Sequence, residues 1–363
     1  MSWLTELARP EIRALRAYEH AAWEPGLIRL HANELPWRAH RDASAAGLNC
    51  YPEPHPYALT AALASFYGVP ADMLLAGRGS DEGIDLLIRC YCRAERDAIV
   101  ICPPTFGMYG VAARIQGAAV HEVPLRRDSG WDLDVRALTG ALGGERGEPL
   151  QGESAHTVKL VFLCSPNNPT GNRLDSEAIV ALARTLAGRA LMVVDEAYVE
   201  FARAPSLVPR VAATPGLVVL RTLSKAHGLA GARCGVVIAH AEVIALLRKL
   251  IQPYAITQLS IEAVFQALQP DALERTRERI GMLTSERARV VAALQQLPQV
   301  RQVWDSDANF LLTQFADAGA AMARAHGAGV LLRDLRGASG LREAVRISIG
   351  SPEHNERLLS CLR

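Results

Sequence analysis

Short apolar runs alternating with longer segments of helical periodicity narrow most sharply what this 363-residue chain can become. Six runs read as strands, at about 98–102, 119–123, 159–164, 190–195, 217–221 and 235–239, each bounded by Pro, Gly, Asn or Ser. Helical patterns fall between them at about 81–95, 106–116, 133–142 and 175–188. The alternation predicts an α/β fold, with a mostly parallel sheet sandwiched by helices. In such sheets ligands bind beyond the carboxyl ends of the strands. Cys102-Pro-Pro, Cys164-Ser-Pro-Asn-Asn, Asp195-Glu-Ala-Tyr and Arg221-Thr-Leu-Ser-Lys all occupy such ends, so their side chains are expected to converge.

Past residue 253 the pattern changes. A helical stretch at 257–296 is followed by strand-like pieces at 299–304, 309–314, 330–332 and 344–349. This predicts a smaller α+β unit completed by the N-terminal segment, so that residues 42–253 form the large unit and 1–41 with 254–363 the remainder. The 140–154 stretch, polar and glycine-rich, reads as a surface loop.

Charge is nearly balanced, 39 Lys+Arg against 38 Asp+Glu, which gives no field to draw the chain to nucleic acid or an anionic membrane. The seven cysteines include no Cys-x-x-Cys, and several lie in apolar runs, as expected of free thiols in a reducing compartment. Met1-Ser-Trp-Leu-Thr-Glu lacks the basic start and apolar run of a signal peptide, and no run approaches the ~20 residues of a membrane span. A cytoplasmic protein is expected, with no metal at its site.

Thr222-Leu-Ser-Lys-Ala-His-Gly-Leu-Ala-Gly-Ala-Arg233 places a lysine among small hydroxyl residues with an arginine eight positions on. Together with Asp195 and Tyr198, this is the partner set that pyridoxal phosphate needs. Lys225 would hold the aldehyde covalently, and Ser224 and Arg233 the phosphate. Asp195 would pair with the ring nitrogen and Tyr198 with the ring oxygen. Ser165-Pro-Asn-Asn-Pro-Thr-Gly171 has its backbone fixed by prolines, and presents Asn168 from a strand end toward the same ring oxygen. Gly77-Arg-Gly-Ser-Asp-Glu-Gly-Ile-Asp85 leads into a helix whose first N–H groups, at Ser80, Asp81 and Glu82, suit an anion. In Pro103-Pro-Thr-Phe-Gly-Met-Tyr109, an aromatic ring could stack on the pyridine face.

These motifs resemble those of the fold type I pyridoxal-phosphate aminotransferases. More narrowly, they are similar to the histidinol-phosphate aminotransferase branch. The resemblance also rests on Leu30-His-Ala-Asn-Glu34, Tyr51-Pro-Glu-Pro54, Leu332-Arg-Asp334 and Val345-Arg-Ile-Ser-Ile-Gly350. It implies a seven-stranded sheet in the large unit, and a homodimer in which Tyr51 reaches the neighbouring subunit's cofactor phosphate. It implies Tyr109 as the stacking ring and Thr222 as part of the cofactor site. It implies Arg333 and Arg346 for the substrate's anionic group, helped by Tyr18, Asn33 and Asn309. The implied reaction is ping-pong amino transfer between glutamate and imidazole acetol phosphate, with Lys225 as general base and acid.

Three other readings stay open. An aromatic amino-acid aminotransferase would convert phenylalanine without preference for phosphate. A related phosphoamino-acid decarboxylase would release carbon dioxide. A ligand-sensing regulator on this fold would carry a DNA-binding domain, for which the residues before Leu30 leave no room.

Overall fold

The computed structural model describes residues 2–20, 24, 26–142 and 156–363. The 140–154 loop falls outside the described residues from 143 onward. Seven strands make the larger sheet: β1 (Leu74–Gly77), β2 (Asp97–Ile101), β3 (Ala119–Glu122), β4 (Thr157–Cys164), β5 (Leu191–Asp195), β6 (Leu217–Thr222) and β7 (Gly235–Ile238). Their spatial order is β1-β7-β6-β5-β4-β2-β3. Strands β2 to β6 pair in parallel, and β7 runs antiparallel to both its neighbours. All six expected strands are present. β1 is the addition: Leu-Leu-Ala-Gly is too short to signal a strand, and it becomes one by pairing with β7.

Successive side chains along a strand face opposite ways, and each face has its own core. Ile99, Phe162, Val193 and Val218 pack under helices Ser80–Tyr91, Met108–Gln116 and Ala241–Arg248. Val100, Val161, Met192 and Val219 pack under helices Tyr57–Tyr67 and Ser176–Thr185. Such two-sided burial explains why these strands read as continuous apolar runs.

A second, antiparallel sheet contains β8 (Val300–Val303), β9 (Phe310–Phe315), β10 (Arg333–Asp334) and β11 (Ala344–Ser348), in the order β10-β11-β9-β8. Helices Pro270–Gln295, Ala318–Gly327 and Pro352–Leu362 supply its core through Val290, Ala321 and Leu358. The 257–296 stretch is two helices, Gln258–Ala267 and Pro270–Gln295. Pro270 has no N–H to donate and sits at the first turn of the second, where none is needed. The 330–332 strand lies slightly later, as β10.

The N-terminal segment departs from expectation. Leu4, Leu7 and Ile12 are buried with Ile84, Leu87 and Leu247 against the larger sheet's helices. The hydroxyls of Ser2 and Thr5 both donate to Glu242, that of Thr5 at 2.7 Å. The first helices therefore complete the large unit rather than the small one, because helix Ala241–Arg248 offers an apolar face beside that carboxylate. All seven cysteines are free. Among the described residues, no helix is long and apolar enough to cross a membrane.

Candidate active site

β4, β5 and β6 end side by side: Cys164 is in register with Asp195, and Asp195 with Leu220. The segments after them border a cavity of about 790 Å³, together with the turn after β2 and the β10–β11 edge of the small sheet.

Asp195 is the buried end of the site. Its Oδ2 accepts the Tyr109 hydroxyl at 2.9 Å, and its Oδ1 accepts the Ala197 N–H at 3.1 Å. Burial pushes its pKa up to about 6, with those two hydrogen bonds holding it lower than burial alone would and the Asp81 charge adding to the rise. A carboxylate fixed this way suits a cationic partner facing it from the cavity.

Tyr109 itself does not border the cavity. Its ring is fully buried and stacks on Phe162 at 5.0 Å. It lies in the first turn of helix Met108–Gln116, whose inward face is committed to the core. Phe106, three residues earlier and ahead of the helix, borders the cavity instead. The ring that lines the cavity is thus Phe106, and Tyr109 donates to Asp195 behind it.

Tyr198 and Asn168 stand together on one wall, with the Asn168 amide donating to the Tyr198 hydroxyl at 3.4 Å. Burial raises the Tyr198 pKa. Phe310 of β9 meets the Tyr198 ring edge-on at 5.0 Å. The Lys225 amine lies 5.7 Å from the Tyr198 ring centroid.

Another set of residues bordering the cavity suits an anion. Gly79 (φ +83°), Ser80 and Asp81 open helix Ser80–Tyr91 beside Arg233, which donates to Asp81 at 3.1 Å. A Cβ at Gly79 would come within 2.8 Å of the Arg233 guanidinium, and one at Gly235 within 2.5 Å of the Ser80 nitrogen. Thr222 and Ser224 bring their hydroxyl oxygens to 2.9 Å of each other and border the same cavity. Glu82 does not border the cavity. Its carboxylate turns back to accept the Arg78 N–H at 2.6 Å and so braces the turn.

Arg346 donates to the Asn168 side-chain amide oxygen at 2.5 Å and packs over Phe310 at 5.3 Å. Its register partner on β10 is Arg333, and both border the cavity. Burial pulls the Arg346 pKa down.

Four expected residues are elsewhere. Tyr51, half exposed, stacks on Tyr254 at 4.6 Å, and its N–H donates to Glu34 at 2.7 Å. Tyr18 is 73% exposed, and Asn33 sits exposed at φ +56°. Asn309 is half-buried, with its carbonyl accepting the Ile349 N–H at 2.9 Å. None of the four borders this cavity. Arg29 and Glu34 pair at 2.6 Å, joining the Asn-Glu and Tyr-Pro-Glu-Pro motifs. Sequence reading also passed over a buried ionic group behind the site, in which Arg221 donates to Glu200 at 2.6 Å and lies 3.6 Å from Glu196.

The donor set fits pyridoxal phosphate. The cavity is bordered by a turn and arginine suited to an anion, a buried carboxylate, an amine and a Tyr–Asn pair. The pattern of the family Aminotransferase class I and II matches residues 30–362, and the chain belongs to that family, whose members work through pyridoxal phosphate. Among relatives, a histidinol-phosphate aminotransferase of Stenotrophomonas maltophilia is 47% identical, over 98% of this chain and 95% of the relative. One of Xylella fastidiosa is 45% identical, over 99% of this chain and 96% of its own length. Among solved structures, histidinol-phosphate aminotransferase from Sinorhizobium meliloti, in complex with pyridoxal-5'-phosphate, shares the fold. Its TM-score is 0.76 at 24% identity, over 87% of this chain and 82% of that one.

Proposed function

We propose that the protein transfers an amino group between glutamate and imidazole acetol phosphate, giving histidinol phosphate and 2-oxoglutarate, in histidine biosynthesis. The carrying observation is the pair Arg333 and Arg346, register partners on the small sheet that border the same cavity as Arg233. One anion site suits the cofactor's phosphate and the other the substrate's. A phosphate ester is a dianion, and planar guanidinium groups bind it in bidentate fashion.

Bound here, pyridoxal phosphate supplies an electron sink for the charge left when a proton departs the substrate Cα. Lys225 would take that proton and later give it up again, as base and then acid. Asp195 would keep a cofactor ring nitrogen protonated, and such a cation beside it would bring the Asp195 pKa down. Tyr198 and Asn168 would hold the cofactor's ring oxygen, and Asn168 links Tyr198 to Arg346. Glu82 braces the turn that presents the Ser80 and Asp81 N–H groups.

Tyr51 serves the site of a second copy in a homodimer, as its exposure away from this chain's cavity supports, and Tyr18 and Asn33 help hold the substrate. Residues 42–253 act as the cofactor-holding unit and 254–363 as the substrate-side unit, in a cytoplasmic enzyme with free thiols. The test is to mix the holoenzyme with histidinol phosphate, histidinol or phenylalanine and follow the cofactor absorbance. Rapid conversion with histidinol phosphate alone supports the proposal. Equal conversion by phenylalanine overturns it in favour of an aromatic aminotransferase, and carbon dioxide release from a phosphorylated amino acid run in parallel overturns it in favour of a decarboxylase.

A further inference from the structure

Arg127 lies in the short turn Arg127–Ser129 after β3, outside the cavity. Its guanidinium packs over two tryptophans that touch each other, 5.7 Å from the Trp131 centroid and 5.4 Å from that of Trp304. Trp131 follows it in the large unit, and Trp304 follows β8 in the small one. From this position Arg127 donates to the Gly340 carbonyl at 3.1 Å and to the Gln314 side-chain oxygen at 3.1 Å. Gln314, on β9, in turn donates to the Arg342 carbonyl at 3.1 Å. Arg127 therefore holds both ends of a short bridge to the 335–343 segment.

That segment joins β10 to β11, the strands that carry Arg333 and Arg346. Its Leu335, Ala338 and Ser339 border the cavity. Leu341 is 1% exposed and packs in the same core as Trp131 and Leu133. The connection is thus pinned to the large unit by one apolar anchor and one cationic fork. A planar guanidinium can stack on the rings while its edge donates two hydrogen bonds, which an ammonium on a flexible stem cannot reproduce.

We propose that Arg127 is a positioning residue for the substrate's anionic end: it sets the 335–341 wall, and through it the two arginines that flank that wall. This rests on the substrate reading above. Displacing the wall weakens substrate binding without disturbing Lys225, Asp195 or the Arg233 cradle, none of which Arg127 touches.

The test uses the holoenzyme with Arg127→Met and Arg127→Lys. With Arg127→Met, KM for histidinol phosphate should rise about tenfold, the scale of a typical coupling between distinct sites, with kcat within about twofold and an unchanged cofactor spectrum. Amide hydrogen exchange across 335–341, without substrate, should quicken. Arg127→Lys should recover only part of each effect. Unchanged KM and exchange in Arg127→Met would overturn the proposal. So would full rescue by Arg127→Lys, which would make charge alone sufficient, or a loss of cofactor binding, which would make Arg127 a general support of the large unit. If wild-type enzyme shows no preference for histidinol phosphate, the substrate reading fails by itself, and exchange across 335–341 still decides whether Arg127 holds the wall.

Discussion

Asp195 is held where water cannot solvate its charge, and it is anchored by Tyr109 and Ala197. Because its pKa in the folded chain is raised from 3.8 to about 6, the folded state binds this proton more tightly than the unfolded state does. Stability is therefore full below pH 3.8, falls as pH rises toward about 6, and stays reduced above that, by about 3 kcal/mol. Asp195→Asn should accordingly stabilise the cofactor-free protein at pH 7.5 by about 1–3 kcal/mol in urea unfolding, while cutting turnover a hundredfold or more. A destabilised, active variant would contradict both assignments. Lys225→Ala should abolish turnover with the melting temperature of the cofactor-free protein unchanged, and full activity would exclude Lys225 as the acid–base group. Residue types announced these groups, since few arrangements use a lysine, an aspartate and a tyrosine at consecutive strand ends. They did not separate Phe106 from Tyr109. Both are aromatic and three positions apart, and which one faces the cavity follows from where helix Met108–Gln116 begins.

Elements convert those residues into a site. The strand–turn–helix unit from β1 to Tyr91 places three consecutive residues at a helix N-terminus beside Arg233. Gly79 is required there twice over, by its positive φ and by the guanidinium where its Cβ would go. Gly79→Ala should weaken pyridoxal phosphate binding about tenfold or more, from strain of order 1–3 kcal/mol, as measured by titrating cofactor-free protein. Unaltered affinity would show that the cradle tolerates displacement. The turn was legible from its glycines, whereas β1 was not. A four-residue strand has no periodicity of its own and exists because β7 pairs with it. The long helical stretch was legible as helix but not as two, since Pro270 can begin a helix as readily as it can end one.

At the scale of the whole molecule, Ile28, Leu30 and Trp37 are 89, 92 and 76% exposed in the single chain, on the segment that leads to Tyr51. Apolar exposure of that extent is a sign of burial in an assembly. The protein should sediment as a dimer, and Trp37→Asp should shift it toward monomer with matching loss of activity at low protein concentration. A wild-type monomer of full activity would refute the shared site. The order and chemistry of the motifs were enough to specify the parallel sheet, the cofactor class and the residues at the strand ends, because those follow from local periodicity and from where each strand stops. The N-terminal helices' packing on the larger sheet's helices, the placing of Phe106 rather than Tyr109 at the cavity and the Arg127 bridge were decided in the folded molecule. Each is a contact between residues distant in the chain or a choice between inward and outward faces, and neither leaves a period or a spacing in the sequence.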